Sequence, residues 1–169
     1  MLKALLLAAL LVMTQKQEPA KQPEFGTIAG LVVPPEKQNI RQPLQVVLIP
    51  EPYKLMWNQK LQQENDNFWE RYKPMLTQKK EFIFELYRQA CQDTLQFVVA
   101  RMSRDLGPGL NRYRSNTSPD GRFEFKNVPV NDYKVVAYGS VGGQTYYWTD
   151  SVELSGSAPQ FLTMTKHVP

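Results

Sequence analysis

The chain has 169 residues, of which 20 are Lys or Arg and 16 are Asp or Glu, and its net charge is +4. Basic side chains do not cluster with aromatic rings into a patch, which argues against a nucleic-acid surface. A single cysteine, Cys91, excludes an intramolecular disulfide, so the fold must be held together by its core. A chain of this length forms one domain, or one domain that carries an insertion.

The N-terminal segment, residues 1–14, has the pattern of a secretory signal peptide. Lys3 precedes a ten-residue apolar run, Ala4–Met13, which is shorter than the roughly 20 residues of a membrane span. The alternative interpretation is that this run is a mis-assigned start of the chain. Residues 15–25 are polar and contain proline, as expected of a flexible spacer. These features predict a secreted or periplasmic protein with no transmembrane span after cleavage.

A tight turn is predicted at Ser118-Pro119-Asp120-Gly121. Pro119 fixes φ at the first corner, Asp120 can hydrogen-bond to its own backbone, and Gly121 can take the positive φ that closes the turn. We therefore predict a structural role for Pro119, Asp120 and Gly121.

Two strands are predicted to follow this turn. Polar and apolar residues alternate from Arg122 to Lys126, which is typical of a half-buried strand. A second strand begins after the break at Val128–Asp132. The predicted core residues are Phe123, Phe125, Tyr133 and Val135, and the predicted solvent-facing residues are Arg122 and Glu124.

This stretch resembles the carboxypeptidase regulatory-like domain, a transthyretin-like (prealbumin-like) β-sandwich that is also grouped with starch-binding-like sandwiches. The family's motif of Asp, Gly and alternating Phe is matched at Asp120–Phe125. Its Leu/Val-Pro step is matched at Val128–Pro129, and its Tyr-x-Val step at Tyr133–Val135. Asn131 stands where the family has a turn glycine. Because Asn tolerates the left-handed region, Asn131 is expected to preserve that turn.

The resemblance covers roughly residues 26–52 and 107–165. It implies a mainly β fold, a prealbumin-like antiparallel β-sandwich spanning residues 26–165. In the family, such domains accompany peptidases, receptors and surface proteins, and are thought to aid folding, interaction or carbohydrate contact. The segments that resemble the family's first two and last two strands are Gly26–Val33, Pro43–Pro50, Val152–Ser157 and Phe161–Met164.

Residues 53–106 lie outside this pattern and predict an α-helical hairpin inserted between the second and third strands. Pro74 is expected to end the first helix near Tyr72 or Lys73, and Gly107 to end the second. The strand pattern is complete without the insertion, so the sandwich is expected to fold without it. The apolar faces of the helices must bury against each other, the sheet or a partner. They carry Trp57, Leu61, Phe68, Trp69, Tyr72, Ile83, Leu86, Tyr87, Phe97 and Val98.

The sequence predicts no catalytic set, no metal site and no cofactor. The single histidine, His167, is close to the C-terminus, whereas zinc and non-haem iron sites usually need two or more. Cys91 has no histidine near it in sequence to activate it as a nucleophile. The carboxylates Glu64, Asp66 and Glu70 are interpreted as a solvated helix face, because the calcium-loop pattern is incomplete.

Tyr138, Tyr146 and Trp148 form the candidate ligand platform. Strand alternation places Tyr146 and Trp148 on one face, next to a predicted Gly142-Gly143 hairpin turn. If the rings are exposed, they can stack against a sugar or a peptide; if they are buried, they fill the core.

The sequence therefore favours a non-catalytic secreted or periplasmic β-sandwich module for structural support or protein interaction, with another envelope protein as its partner. The alternative is a carbohydrate-binding module that binds a polysaccharide through exposed aromatics. An uncovered helix stripe would favour the protein partner, and exposed coplanar rings would favour the polysaccharide.

Overall fold

The computed structural model describes residues 24–35, 38–76 and 81–168. The predicted signal peptide, residues 1–14, lies outside the described residues, as does the predicted spacer up to residue 23. Phe25, which was predicted to end that spacer, instead begins the first strand. Strand and helix account for about 40% and 39% of the structure, so the insertion contributes nearly as much secondary structure as the strands.

The described part of the chain consists mainly of β-strands, with one pair of α-helices inserted among them. The insertion lies between the second and third strands, as predicted. In chain order the elements are β1 (Phe25–Val32), β2 (Gln45–Pro50), α1 (Tyr53–Leu76), α2 (Glu81–Leu106), a 3-10 helix (Gly107–Tyr113), β3 (Arg114–Asn116), β4 (Arg122–Pro129), β5 (Asn131–Val141), β6 (Gln144–Leu154), β7 (Gln160–Met164) and β8 (His167–Val168).

The strands form a three-stranded sheet, β4-β1-β7, and a five-stranded sheet, β3-β2-β5-β6-β8. The pairs are antiparallel except that β7 runs parallel to β1, with Ile28 opposite Gln160. The prediction of a wholly antiparallel arrangement is therefore wrong at this pair. The chain passes from one sheet to the other between β6 and β7, so β7 joins β1 without a hairpin.

One buried cluster takes side chains from both sheets. It contains the predicted core residues Phe123, Phe125, Tyr133 and Val135, which confirms the predicted register of β4. Trp148 from β6 also belongs to it and donates a hydrogen bond from Nε1 to the carbonyl oxygen of Val33 at 3.0 Å. The two sheets therefore share one core.

A second buried cluster lies on the other face of the five-stranded sheet, where the helices cover it. The sheet contributes Val47, Ile49, Val136 and Tyr147, the insertion contributes Tyr53, Trp57, Cys91, Leu95, Val98 and Met102, and the 3-10 helix contributes Leu110. Two polar contacts fix the base of the helices: Lys54 pairs with Asp132, and the Tyr53 hydroxyl donates to Asp105 at 3.1 Å. The helices are therefore packed on the sheet rather than free of it.

The helix ends agree with the sequence at one position and differ at another. α2 ends at Leu106, and Gly107 follows with φ +52°, as predicted. α1, however, continues through Pro74 to Leu76. The prediction that Pro74 ends this helix is wrong, because a proline in the last turn removes only one backbone donor there and the preceding turns keep their hydrogen bonds.

The turn before β4 is formed as predicted. Gly121 has φ +84°, its N–H donates to the carbonyl oxygen of Ser118 at 2.9 Å, and its own carbonyl accepts from the Val32 N–H at 2.9 Å. Asp120 accepts a hydrogen bond from the Ser118 hydroxyl, which is the largest cause of the lowered pKa of Asp120.

The prediction that Asn131 occupies a turn in the left-handed conformation is wrong. Asn131 begins β5, and its side-chain oxygen accepts a hydrogen bond from the Asp132 N–H at 2.8 Å. The left-handed conformation instead occurs at Asn127, with φ +54°. Either asparagine can take this conformation, so the sequence alone did not decide between them.

Gly121→Val is expected to destabilise the protein strongly, because Gly121 is buried in its turn. A Cβ at Gly121 would lie 2.4 Å from the carbonyl oxygen of Val32. A β-branched residue at this φ also stores strain of about 1–3 kcal/mol before that clash is counted. Thermal unfolding of the variant and the wild type measures the difference. Gly143→Val has positive φ without the close contact, so equal losses for both variants would contradict the proposed role of the Val32 contact.

Candidate functional site

The predicted platform rings lie inside the protein. Tyr146 is 4% exposed and Trp148 0% exposed, and both belong to the core between the sheets. Their ring centroids are 5.8 Å apart. Of the two alternatives for Tyr146 and Trp148, the structure therefore shows the one in which the rings fill the core. Strand alternation correctly placed them on one face, but that face points at the other sheet.

Tyr138 faces the opposite side of the same sheet. Its ring stacks on Tyr147 with centroids 5.9 Å apart and planes 9° from parallel. Its hydroxyl donates a hydrogen bond to Gln45. α2 packs over this pair and leaves a cleft of about 410 Å³ that Leu95 and Val99 also line. Tyr138 is thus separated from Tyr146 and Trp148 by the sheet itself.

The groups considered for catalysis are also placed by the structure. Cys91 is buried on the side of α2 that packs on the sheet, and burial raises the pKa of its thiol to about 12. His167 is exposed and lies edge-on to Tyr146, with centroids 5.5 Å apart. Asp66 accepts a hydrogen bond from Gln62 at 2.8 Å on the helix surface. Within the described ranges, no three His, Cys, Asp or Glu side chains come together as a metal site would require.

The most distinctive surface is the far end of the helical insertion, which we call the overhang (residues 62–76 and 81–89). The cluster against the sheet includes α1 only as far as Leu61 and α2 only from Cys91 onward. From Leu61 to the end of α1 at Leu76 the helix rises about 22 Å. Neither buried cluster includes a residue of α1 beyond Leu61.

An aromatic seam holds the two helices of the overhang together. The rings of Phe68 and Tyr72 on α1 are 6.4 Å apart. Tyr72 also meets Phe82 of α2 edge to face, with centroids 5.6 Å apart. This seam buries one stripe of each helix, and the neighbouring stripes have no sheet to cover them.

Large apolar side chains remain exposed beside this seam. Trp69 is 53% exposed, Phe84 52% and Ile83 41%, and Tyr87 is also exposed. In a helix, positions 84, 87, 91, 95 and 98 share one side. The stripe that covers the sheet at Cys91, Leu95 and Val98 therefore continues along α2 to Phe84, which belongs to neither buried cluster.

Three of these side chains, Trp69, Ile83 and Tyr87, border an open cleft of about 280 Å³ between α1 and α2. Its lining is predominantly apolar, with two polar residues from α1. The lining residues are Asn65, Asp66, Phe68, Trp69, Ile83, Leu86 and Tyr87. The cleft can accept an apolar side chain, and the exposed rings around it can cover the group that enters.

Sequence reasoning identified this apolar surplus but did not locate the site. Trp69, Ile83 and Tyr87 were predicted to cover either the sheet or another protein. Periodicity gives the same stripe for the covered and uncovered halves of a helix. The covered and uncovered halves of each helix differ in whether they pack on the sheet. The sequence of the helix does not show where that packing ends.

Comparisons with known proteins do not assign the chain to a family. No family model matches it, and no curated protein matches it. A crystal structure from Pseudomonas aeruginosa, that of a "putative carbohydrate binding protein", is similar over 86% of this chain and 91% of that chain. The identity is 17% and the TM-score 0.37, a level of similarity from which nothing follows for this chain. The resemblance to carboxypeptidase regulatory-like domains stays a prediction.

The described helices were also tested as membrane spans. Neither α1 nor α2 combines the length and the apolar character that crossing a bilayer requires.

Proposed function

We propose that the protein is a non-catalytic module that acts by contact with another protein chain, and that the overhang is its contact surface. The observation that carries this proposal is the group of exposed apolar side chains around the cleft, with Trp69 53% exposed and Ile83 41% exposed. Single exposed apolar residues are ordinary on protein surfaces. Several large ones gathered around a cleft are typical of an interaction site.

The proposed framework for this surface is a prealbumin-like β-sandwich related to carboxypeptidase regulatory-like domains. Two observations support it: side chains of both sheets share one core, and the Asp120-Gly121 turn leads into the alternating strand β4. In this framework the sandwich is a rigid support, and the helical insertion is the variable surface carried on it.

The proposed location is outside the cytoplasm, secreted or periplasmic. Its support is the sequence of residues 1–14, in which Lys3 precedes the apolar run Ala4–Met13. The intact mass of the protein recovered from an envelope fraction tests this, and full-length chain recovered only from the cytosol would contradict it.

A non-catalytic role agrees with the environment of the most reactive side chain. Cys91 is fully buried, and its pKa of about 12 keeps the thiol protonated at neutral pH. A buried, protonated thiol is a poor nucleophile. Its contacts with the apolar side chains under α2 give it a packing role instead.

The carbohydrate-binding alternative requires a different surface from the one first predicted, because Tyr146 and Trp148 are buried. An exposed ring is present on β7, where Phe161 is 68% exposed beside an open cleft that Asn116 and Glu124 also line. Retention on insoluble polysaccharide that Phe161→Ala abolishes would favour this alternative over the overhang.

The overhang is expected to crosslink to a protein at a defined position. A photo-crosslinking amino acid placed at Glu70, which is exposed next to Trp69, should give discrete crosslinked products in cells. The same probe at Thr163, which is exposed on β7, should not. Trp69→Ala should remove the products, because an aromatic side chain at the centre of an interface commonly contributes most of its affinity.

Equal crosslinking from the two probe positions, or products that persist in Trp69→Ala, would contradict the proposed function. A folded variant is needed for this comparison. Trp69 is half exposed and outside both buried clusters, so its replacement leaves the two cores intact.

A further inference from the structure

We infer that the partner at the overhang is a second copy of this chain, so that two overhangs pack against each other. This inference rests on the proposed function and names the occupant of the same surface. It is drawn from the form of the overhang, the area it leaves exposed and the charges around it.

The form is that of half a helical bundle. The seam of Phe68, Tyr72 and Phe82 buries the inner stripe of each helix. Trp69 and Ile83 lie outside that seam around the cleft. Two helices alone cannot cover a second stripe, whereas four helices in two pairs can, as in four-helix bundles. A second overhang has the length and the apolar surface that complete such an arrangement.

The exposed area fits the centre of a dimer interface. Trp69, Ile83, Phe84 and Tyr87 are between 36% and 53% exposed. With about 150–250 Å² for each aromatic side chain, they leave on the order of 300–400 Å² of apolar surface in each copy. A stable interface buries about 800 Å² per partner, with its apolar part at the centre. The polar residues around the rings supply the remaining area.

The charges around the overhang allow such self-contact. Its exposed rim carries the acidic residues Asp66 and Glu70 and the basic residues Arg71 and Lys73. On α2, Arg88 pairs with Glu85 at 3.0 Å. In a two-fold contact the same patch meets itself. A rim of one sign would repel its copy, but a rim of both signs can place acids of one copy against bases of the other.

Tryptophan fluorescence gives a direct test, because the three tryptophans differ in exposure. Trp57 is 1% exposed and Trp148 0%, whereas Trp69 is 53% exposed. Quenching by iodide therefore reports mainly on Trp69. In the purified protein alone, we expect the quenchable fraction to fall as protein concentration rises, in parallel with a doubling of the mass measured by sedimentation equilibrium.

Tyr87→Ala, which keeps all three tryptophans, is expected to weaken the dimer by at least about tenfold. Phe161→Ala serves as the matched control, because Phe161 is equally aromatic and exposed but lies on β7 in the three-stranded sheet. The control should leave the dissociation constant unchanged.

The inference is overturned if the purified chain stays monomeric at about 100 μM, well above a typical micromolar dissociation constant, with Trp69 quenchable throughout. It is also overturned if Phe161→Ala weakens the dimer as much as Tyr87→Ala. The outcome for the proposed function is separate. Suppose that the chain is monomeric but the probe at Glu70 still crosslinks to a different protein, and that these crosslinks depend on Trp69. The proposed function then stands, and the inference of a second copy is rejected. If the chain is monomeric and the probe at Glu70 gives no crosslinks that depend on Trp69, both the inference and the proposed function are rejected.

Discussion

Phe125→Ala is expected to lower the free energy of unfolding by about 3–5 kcal/mol, the range for truncating a large aromatic residue in a core. Phe125 is buried between the sheets and meets Phe123 edge to face, with centroids 5.9 Å apart. The substitution leaves a cavity that neighbours on two separate sheets cannot easily close. Urea denaturation monitored by circular dichroism measures the loss. Because whole domains are stable by only about 5–15 kcal/mol, we expect a substantial fraction of the variant to be unfolded at 37 °C.

Glu124→Ala is the matched control for this prediction. Glu124 is the adjacent residue on β4, but its side chain points to solvent, where it pairs with Lys126 at 3.0 Å. A surface ion pair contributes about 0–1 kcal/mol. The control should therefore unfold at nearly the wild-type urea concentration. Similar losses for the two variants would mean that β4 does not have the register in which Phe125 faces Ile28 and the rest of the core.

The strand β4 shows what the sequence could predict. The alternation of polar and apolar residues along β4 predicts both its buried face and its exposed face, because the outer face of the three-stranded sheet is open to solvent there. The turn at Gly121 was predictable for a similar reason. Its geometry is set by φ at one residue and by contacts within a few positions, so the local sequence contains most of the information.

β5 and β6 show where alternation stops being informative. Val135, Val136 and Ala137 are consecutive, and all three are fully buried. The three-stranded sheet covers one face of these strands, and the helices cover the other. A strand covered on both faces has no solvent side for polar residues to mark. Tyr146 and Trp148 were assigned to the correct face, yet their exposure depended on packing that only the tertiary structure reveals.

The candidate site was the least predictable part. The apolar stripes of both helices, and their excess over what one helical seam needs, were predictable from periodicity. The overhang begins only where the helices leave the cluster against the sheet, near Leu61 and Cys91. That position follows from how the insertion lies across the sheet, a relation between residues far apart in the chain.

Deleting the whole insertion, Tyr53–Asp105, and joining its ends with a short Gly-Ser turn is expected to prevent folding or to cause aggregation. The complete strand pattern favoured the opposite outcome, a sandwich that folds alone. The structure argues against it, because the deletion uncovers Val47, Ile49, Val136 and Tyr147, each at most 4% exposed in the intact chain. Uncovering four such side chains removes roughly 1.5–3 kcal/mol of burial for each, a loss comparable to the stability of an entire domain.

A shorter deletion separates the two halves of the insertion. Removing residues 63–88 and joining Gln62 to Gln89 with a Gly-Ser turn takes away the overhang but keeps Trp57, Cys91 and the other residues that cover the sheet. Neighbouring helices lie about 8–10 Å apart, which a few linker residues can span. We expect this variant to retain the wild-type β signal in circular dichroism, to unfold cooperatively, and to show neither the crosslinks nor the concentration-dependent mass of the full chain. If both deletion variants fold equally well, the helices do not stabilise the sheet. If neither variant folds, the overhang also contributes to the stability of the fold. Its exposed rings then lose their independent role as a contact surface.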